Sequence, residues 1–329
     1  MKVLSLFDGI SCGMVALERA GITVDVYYAS EVEPNAIAIS NKNYPTVIRL
    51  GDVTKWRGWD IPWEEIDLVI GGSPCQGFSF AGKQLNFDDP RSKLFFEFAD
   101  ILEYIKAKNP AVKFLLENVR MKKQSEDVIT DKLGVRPALI NSSLFSAQSR
   151  NRLYWTNIVF SDRIVDKEIF WGDIMLEGAQ NVYYLTPKMM DWINKNEKRK
   201  NKFKVYTKES RCKMQMVEAS HHKGISNQRC FAILDTGKLR YIHPVECERL
   251  QTLPDNYTEG VSNTQRYKII GNAWTVDVIA YILRHMPIES KPDYMGLVAR
   301  LRSTVSVSKR KMLDEAADAI EHLLKEAAV

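Results

Sequence analysis

The chain has no run of 18 apolar residues, so nothing in it reads as a membrane-spanning helix. It has no leader pattern either. Met1-Lys2-Val3-Leu4 runs straight into a strand, so no signal peptide is expected and the reading is cytoplasmic. Cysteine is scarce. The five, at 12, 75, 212, 230 and 247, are odd in number and show no framework spacing, which suits a reducing compartment. With no C-x-x-C pair, Cys212, His221, His222 and Cys230 are expected on the surface or in the core, and no metal is expected. Charge of one sign is also modest. A net +5 means that any polyanionic partner must be met by a local patch.

What is present is an ordinary globular composition, 45% apolar over 329 residues, enough for one large domain and a smaller one. Val3 to Phe7 reads as a first strand. Asp8-Gly9-Ile10-Ser11-Cys12-Gly13 is a tight turn, and Met14 to Ala20 a helix closed by Gly21. Strand, glycine turn and helix open a nucleotide-binding α/β unit. Gly9 to Gly13 also fits the G-x-S-x-G elbow of hydrolases. That elbow should follow several strands and needs an acid and then a histidine; no histidine occurs before His221. A second strand, Val26 to Ser30, ends in Glu31, and a third, Val47 to Leu50, ends in Gly51-Asp52-Val53. Each acid alone fits a helix cap. Three strand ends in register, at Asp8, Glu31 and Asp52, point to an adenosine-type ligand across the edge of a parallel sheet.

Asp67-Leu68-Val69-Ile70 is a buried strand that runs into Gly71-Gly72-Ser73-Pro74-Cys75-Gln76. Pro74 restricts its own φ and pushes Ser73 towards extended backbone, so the turn holds Cys75 in a fixed place. Residues 76–93 carry glycines, a proline and no apolar period, and read as a lid loop. Leu94 to Lys106 is an amphipathic helix. Lys113 to Leu116 is a strand ending in Glu117-Asn118-Val119, on the same edge as Cys75. Another strand begins at Gln148-Ser149-Arg150-Asn151-Arg152, and alternation puts Gln148, Arg150 and Arg152 on one face.

These segments resemble the C5-cytosine-specific DNA methyltransferases. The likeness is carried by Leu6-Phe7-Asp8-Gly9, Gly72 to Gln76, Phe78-Ser79 with Gly82-Lys83-Gln84, Glu117-Asn118-Val119 and Gln148 to Arg152. Arg240 to Gln251 and Gly271-Asn272-Ala273 complete the set, which spans residues 3 to 285 in the family's order. The wording is close to bacterial and phage members and to the animal de novo enzymes. Four residues depart from the pattern: Ser11 and Cys12 in the first turn, His243 where a threonine is usual, and Trp274 in place of a small residue.

The resemblance implies a Rossmann-like α/β methyltransferase fold using S-adenosyl-L-methionine, with S-adenosyl-L-homocysteine as product. It implies that Phe7 packs on adenine, Gly9 and Cys12 allow backbone approach, Glu31 takes the ribose and Asp52 the adenine amino group. Pro74, Leu94, Asn272 and Trp274 line the rest, with Asp8, Ser11 and Val53 in the same set. The chemistry agrees. Cytosine C5 is a weak nucleophile unless a thiolate adds at C6, and Cys75 is the candidate. Glu117 can share a proton with ring N3 and Arg152 can donate to O2. Arg150 and Gln148 brace that site or a phosphate. Attack at C6 requires the base to leave the duplex stack.

Implied boundaries are 1–172 and 240–287 for a discontinuous catalytic domain, 173–239 for an inserted target-recognition domain and 288–329 for a helical tail. Double-stranded DNA is the expected partner. Its expected contacts are Gln76, Ser79, Lys83, Gln148, Arg240 and the basic run at Lys198, Arg199, Lys200 and Lys202. From Lys188 to Lys213 there are ten basic and three acidic side chains. Clustered cations reward phosphates, although such runs also serve as solvated faces. Lys309 to Ala327 is amphipathic and packs on its own body or makes a dimer contact, so the protein is a monomer or a homodimer. A tRNA-modifying enzyme of the same fold and an inactive DNA-binding regulator are the alternatives. The tRNA branch's Cys-Phe-Thr signature is absent, and the regulator would be expected to lose Cys75, Glu117 or Arg152, all of which are present.

Overall fold

Apolar strands separated by helices build a sheet covered on both faces. The computed structural model describes residues 1–74, 94–226 and 229–287. In chain order it begins with β1 (Lys2–Leu6), α1 (Cys12–Ala20), β2 (Val26–Ser30), α2 (Pro34–Asn43) and β3 (Ile48–Arg49). It continues with β4 (Leu68–Gly71), α3 (Leu94–Lys108), β5 (Lys113–Val119), α4 (Lys123–Leu133), β6 (Ala138–Asn141), β7 (Gln148–Ser149) and β8 (Asn151–Thr156). The seven-stranded sheet runs β3-β2-β1-β4-β5-β8-β6. Strands β1 to β5 are parallel, and β8 is antiparallel to both its neighbours. Successive strands leave β1 in opposite directions, so the crevice between the ends of β1 and β4 is the topological switch point where such sheets bind ligands.

Residues 171–240 follow as α5 (Trp171–Ile174), α6 (Pro187–Asn194), α7 (Glu197–Lys202), β9 (Lys204–Tyr206), β10 (Met214–Gln215), β11 (Phe231–Asp235) and β12 (Lys238–Arg240). β12, β11 and β9 form a small sheet, while β10 pairs with β7. The two-residue turn between β11 and β12 is Thr236-Gly237, both at positive φ (47° and 77°), as a tight hairpin requires. The chain then returns through α8 (Pro244–Leu250), α9 (Asn263–Asn272) and α10 (Val276–Leu283).

Period-two alternation splits the core. Val3, Leu68, Ile70 and Leu115 face α1 and α10 on one side of the sheet. Leu4, Leu6, Val69 and Leu116 face α3 on the other. A third core joins Trp171, Tyr206, Met214, Phe231 and Ile233 to Tyr267 and Ile270 of α9. Met1–Met286 groups as one compact unit that includes residues 173–239. Pro287–Val329 groups separately and, past Pro287, lies outside the described residues.

Candidate active site

A cavity of about 320 Å³ opens at the switch point. Its floor comes from the loops after β1, β2, β4 and β5, and its far wall from the C-terminal end of α9 and Trp274. The first loop is wound tightly. Phe7, Gly9 and Ser11 all take left-handed backbone, at φ 58°, 60° and 58°. For Phe and Ser this costs of order 1 kcal/mol or more, and it persists because neighbours over-determine it. Asp8 supplies that restraint. Its buried carboxyl accepts from Ser11 Oγ at 2.6 Å and Tyr27 Oη at 2.9 Å, with Arg49 at 3.4 Å. Burial nonetheless pushes the Asp8 carboxyl up. Ser11 is fully buried in this network and does not line the cavity, so its hydroxyl is no hydrolase nucleophile. Cys12 lines the cavity, but burial pushes its thiol up to about 12, which leaves it a packing residue.

Glu31 holds the loop from the other side. One carboxylate oxygen accepts from Gly9 N–H at 2.8 Å; the second accepts from Val32 and Glu33 N–H at 2.7 and 2.8 Å. A carboxylate has about four lone-pair sites, so roughly one remains for a ligand hydroxyl. Asp52 and Val53 do not line the cavity. Asp52 caps the 3-10 turn at Val53–Gly58, accepting from Thr54 N–H and Oγ1, both at 2.9 Å. Those bonds, the backbone one first, hold its carboxyl below the usual range. Val53 is core. Leu94, the first residue of α3, is also outside the cavity wall among the described residues.

On the β4–β5 side, Asn118 Nδ2 donates to Ser73 O at 3.3 Å and Oγ at 3.1 Å, pinning the turn that leads to Pro74. Any larger residue at Gly72 would push on two side chains of the cavity wall. A Cβ there would meet Trp274 Nε1 at 2.9 Å and Glu117 Oε2 at 3.1 Å. Glu117 Oε1 pairs with Arg152 Nε at 2.9 Å, both side chains mostly buried at the cavity wall. Arg150 also lines it, but its guanidinium turns to backbone carbonyls: Val217 O at 2.8 Å, Gly271 O and Ala273 O at 3.1 Å. Asn272 and Trp274 complete the wall.

Cys75, Gln76, Ser79 and Lys83 lie outside the described residues. Two expected DNA contacts are corrected. Gln148 is fully buried; its amide donates to Leu250 O at 2.6 Å and Gln251 Oε1 at 2.8 Å, and its Oε1 accepts from Val217 N–H at 3.0 Å. Arg240 is also fully buried, paired with Asp235 and Glu246 at 2.8 Å each. Neither can reach a nucleic acid. Lys198, Lys200 and Lys202 on α7 are exposed, whereas Arg199 stacks over Trp192 at 3.8 Å.

Some residues of the site carried no local signal. Lys268 of α9 crosses to Glu33 at the start of α2, 2.9 Å away at the cavity wall, and holds that carboxyl below its usual range. The departures have local explanations. His243 is the N-cap of α8, its Nδ1 accepting from Val245 N–H at 3.2 Å as a threonine hydroxyl would. Trp274 fills the space that Gly72 leaves.

A doubly wound sheet with a cavity at its switch point defines a Rossmann-like α/β fold with a ligand site at the strand ends. The model of the C-5 cytosine-specific DNA methylases matches residues 1–159 and 140–287. The chain is 32% identical to the type II methyltransferase M1.ScrFI of Lactococcus lactis subsp. cremoris over 316 residues, covering 87% of this chain and 77% of that one. It is 29% identical to M.NlaX of Neisseria lactamica, covering 87% and 96%. Among solved structures the Entamoeba histolytica methyltransferase EhMeth superposes with a TM-score of 0.69 at 17% identity, covering 87% and 97%. The chain therefore belongs to the C-5 cytosine-specific DNA methylase family, and it is a methyltransferase.

Proposed function

We propose that the protein methylates C5 of a cytosine flipped out of a short specific sequence in duplex DNA, with residues 173–239 as the target-recognition part. The observation that carries this is the Glu117–Arg152 pair in the wall of a cavity that Pro74 also lines, one residue before Cys75. A pyrimidine ring offers N3 and O2 side by side. A carboxyl that shares a proton with N3 and a guanidinium N–H aimed at O2 match that edge.

The residues fit S-adenosyl-L-methionine. Phe7 and Trp274 offer aromatic surface, Glu31 keeps a free acceptor site, and Gly72 clears the space between Trp274 and Glu117. When bound, that cofactor supplies an electrophilic methyl group. In this reading Cys75 Sγ bonds to C6 and electron density moves to C5. Glu117 holds the proton at N3 and Arg152 holds O2. After C5 is alkylated its proton leaves to water, and the C6–S bond breaks to restore the ring. Arg150 and Gln148 keep the frame.

Incubating the full-length protein with radiolabelled S-adenosyl-L-methionine and either duplex DNA or tRNA tests the assignment. Label in duplex DNA alone is expected. Label in tRNA alone would replace this reading with the tRNA one, and label in neither would leave no transferase activity on nucleic acid.

A further inference from the structure

A second cavity, of about 240 Å³, lies where the turn at His221–Lys223 meets β11 and the start of α9. α9 connects the two cavities. Asn263, Thr264 and Tyr267 line the second, while Lys268, Ile269, Gly271 and Asn272 line the first. At 1.5 Å per residue its ends are about 14 Å apart, the length of roughly four base steps.

The walls are aromatic: Phe231, Tyr241 and Tyr267, with the exposed Tyr183 beside them. Gly224, at φ +69°, brings the turn so close to Tyr241 that a Cβ would meet its hydroxyl at 2.8 Å. Among these rings sits His221, 7% exposed. Its Nδ1 accepts from Glu218 N–H at 2.8 Å. Its Nε2 is buried and has no partner among the described residues. Burial holds the imidazole's pKa down to about 4, so the ring is neutral. Nδ1 also lies 3.0 Å from Glu218 O, but that oxygen already accepts from His221 N–H, and the Glu218 N–H directed at Nδ1 assigns the ring hydrogen to Nε2. A buried N–H is costly to leave unpaired.

His222 and Lys223 stand exposed at the mouth, and among the described residues neither pairs with a carboxylate. Arg229 does: it binds Glu218 at 3.0 Å and Ser220 Oγ at 2.6 Å, which braces the turn. Among the described residues no carboxylate lines the cavity. Flat walls, one buried donor and a cationic mouth match the parts of a nucleotide: a ring to stack, an acceptor on its edge and a phosphate.

We propose that this cavity receives one nucleotide of the bound DNA other than the reacting cytosine, with His221 Nε2 donating to its base and Lys223 beside its phosphate. The assignment rests on the DNA reading above. It makes His221 a specificity-determining residue, favouring a base that presents an acceptor, such as guanine or thymine, over one that presents an amino donor.

The test uses the full-length protein on duplexes randomised around a fixed cytosine, with methylated products read by bisulfite sequencing. His221→Phe keeps the ring and removes the donor; His221→Gln keeps a donor. The wild type is expected to disfavour an amino-presenting base at one position. His221→Phe should weaken that preference about tenfold, and only there, while His221→Gln retains it. An unchanged motif in an active His221→Phe overturns the cavity assignment and leaves the DNA reading standing. Equal loss in both variants makes the effect one of packing and also overturns it. A wild type that methylates no duplex overturns both. If His221→Phe does not fold, His222→Ala/Lys223→Ala carries the test, since both residues are exposed. It should raise KM at all sequences alike and flatten the salt dependence; unchanged KM and salt slope overturn the proposal.

Discussion

Glu117 Oε1 and Arg152 Nε lie 2.9 Å apart on neighbouring antiparallel strands, as diagonal partners around the Glu117–Tyr154 and Val119–Arg152 register positions. The pair is held by the sheet itself, so a substitution in it should change chemistry before it changes the fold. Glu117→Gln keeps the size and the hydrogen-bonding edge but cannot share a proton as a carboxyl does. We expect kcat to fall by about 10²–10⁴-fold with cofactor affinity unchanged. Single-turnover methylation and calorimetric titration separate the two quantities. A loss of affinity with kcat intact would move Glu117 from the chemistry to cofactor binding.

Arg150 should behave in the opposite way. Its guanidinium ties Val217 to the end of α9 through three carbonyls, and Gln148 takes the N–H of the same Val217. Arg150→Ala leaves buried carbonyls unpaired, which costs about 3 kcal/mol of stability. Urea denaturation of the wild type, Arg150→Ala and Arg150→Lys measures this, with partial recovery expected in the lysine variant. Unchanged stability together with lost activity would assign Arg150 to the reaction.

Much of the sheet was legible because period-two apolar strands ending in acids leave a plain pattern. The short β3 was expected at Val47 to Leu50 and spans only Ile48–Arg49. Alternation also implied one face for Gln148, Arg150 and Arg152. Arg150 and Arg152 do line one cavity and Gln148 and Arg150 both reach Val217, although the ladder is interrupted at Arg150, whose N–H goes to Asn141 Oδ1 at 3.0 Å. Arg240 was misread because an arginine at the border of the insert reads as exposed. Its partners Asp235 and Glu246 stand five and six positions away, but only the hairpin and the α8 cap bring them together. The Glu33–Lys268 pair had no local signal, because α9 meets α2 only in the folded chain.

The basic helix and Arg240 should separate cleanly in experiment. Neutralising Lys198, Lys200 and Lys202 together, all exposed on α7, should weaken DNA binding at every sequence alike. The slope of log affinity against log salt should flatten by up to about one unit per lost phosphate contact. An unchanged slope would make α7 a solvated face.

Arg240→Ala should leave that slope as it is and cost about 3–5 kcal/mol, because Asp235 and Glu246 would remain buried without their cation. Thermal unfolding and a salt titration of binding check the two halves. A flattened slope with normal stability would return Arg240 to the DNA interface.

The central claim is a thiol that adds to cytosine C6, and Cys75 is the residue it names. Duplex DNA of a verified target sequence, carrying 5-fluorocytosine at the methylated position, measures it most directly, because fluorine cannot leave C5 as a proton does. With S-adenosyl-L-methionine present, the wild type should form a denaturation-resistant adduct whose tryptic peptide carries the nucleotide on Cys75, and Cys75→Ser should form none. No adduct in the wild type, or an adduct that persists in Cys75→Ser, would contradict the account.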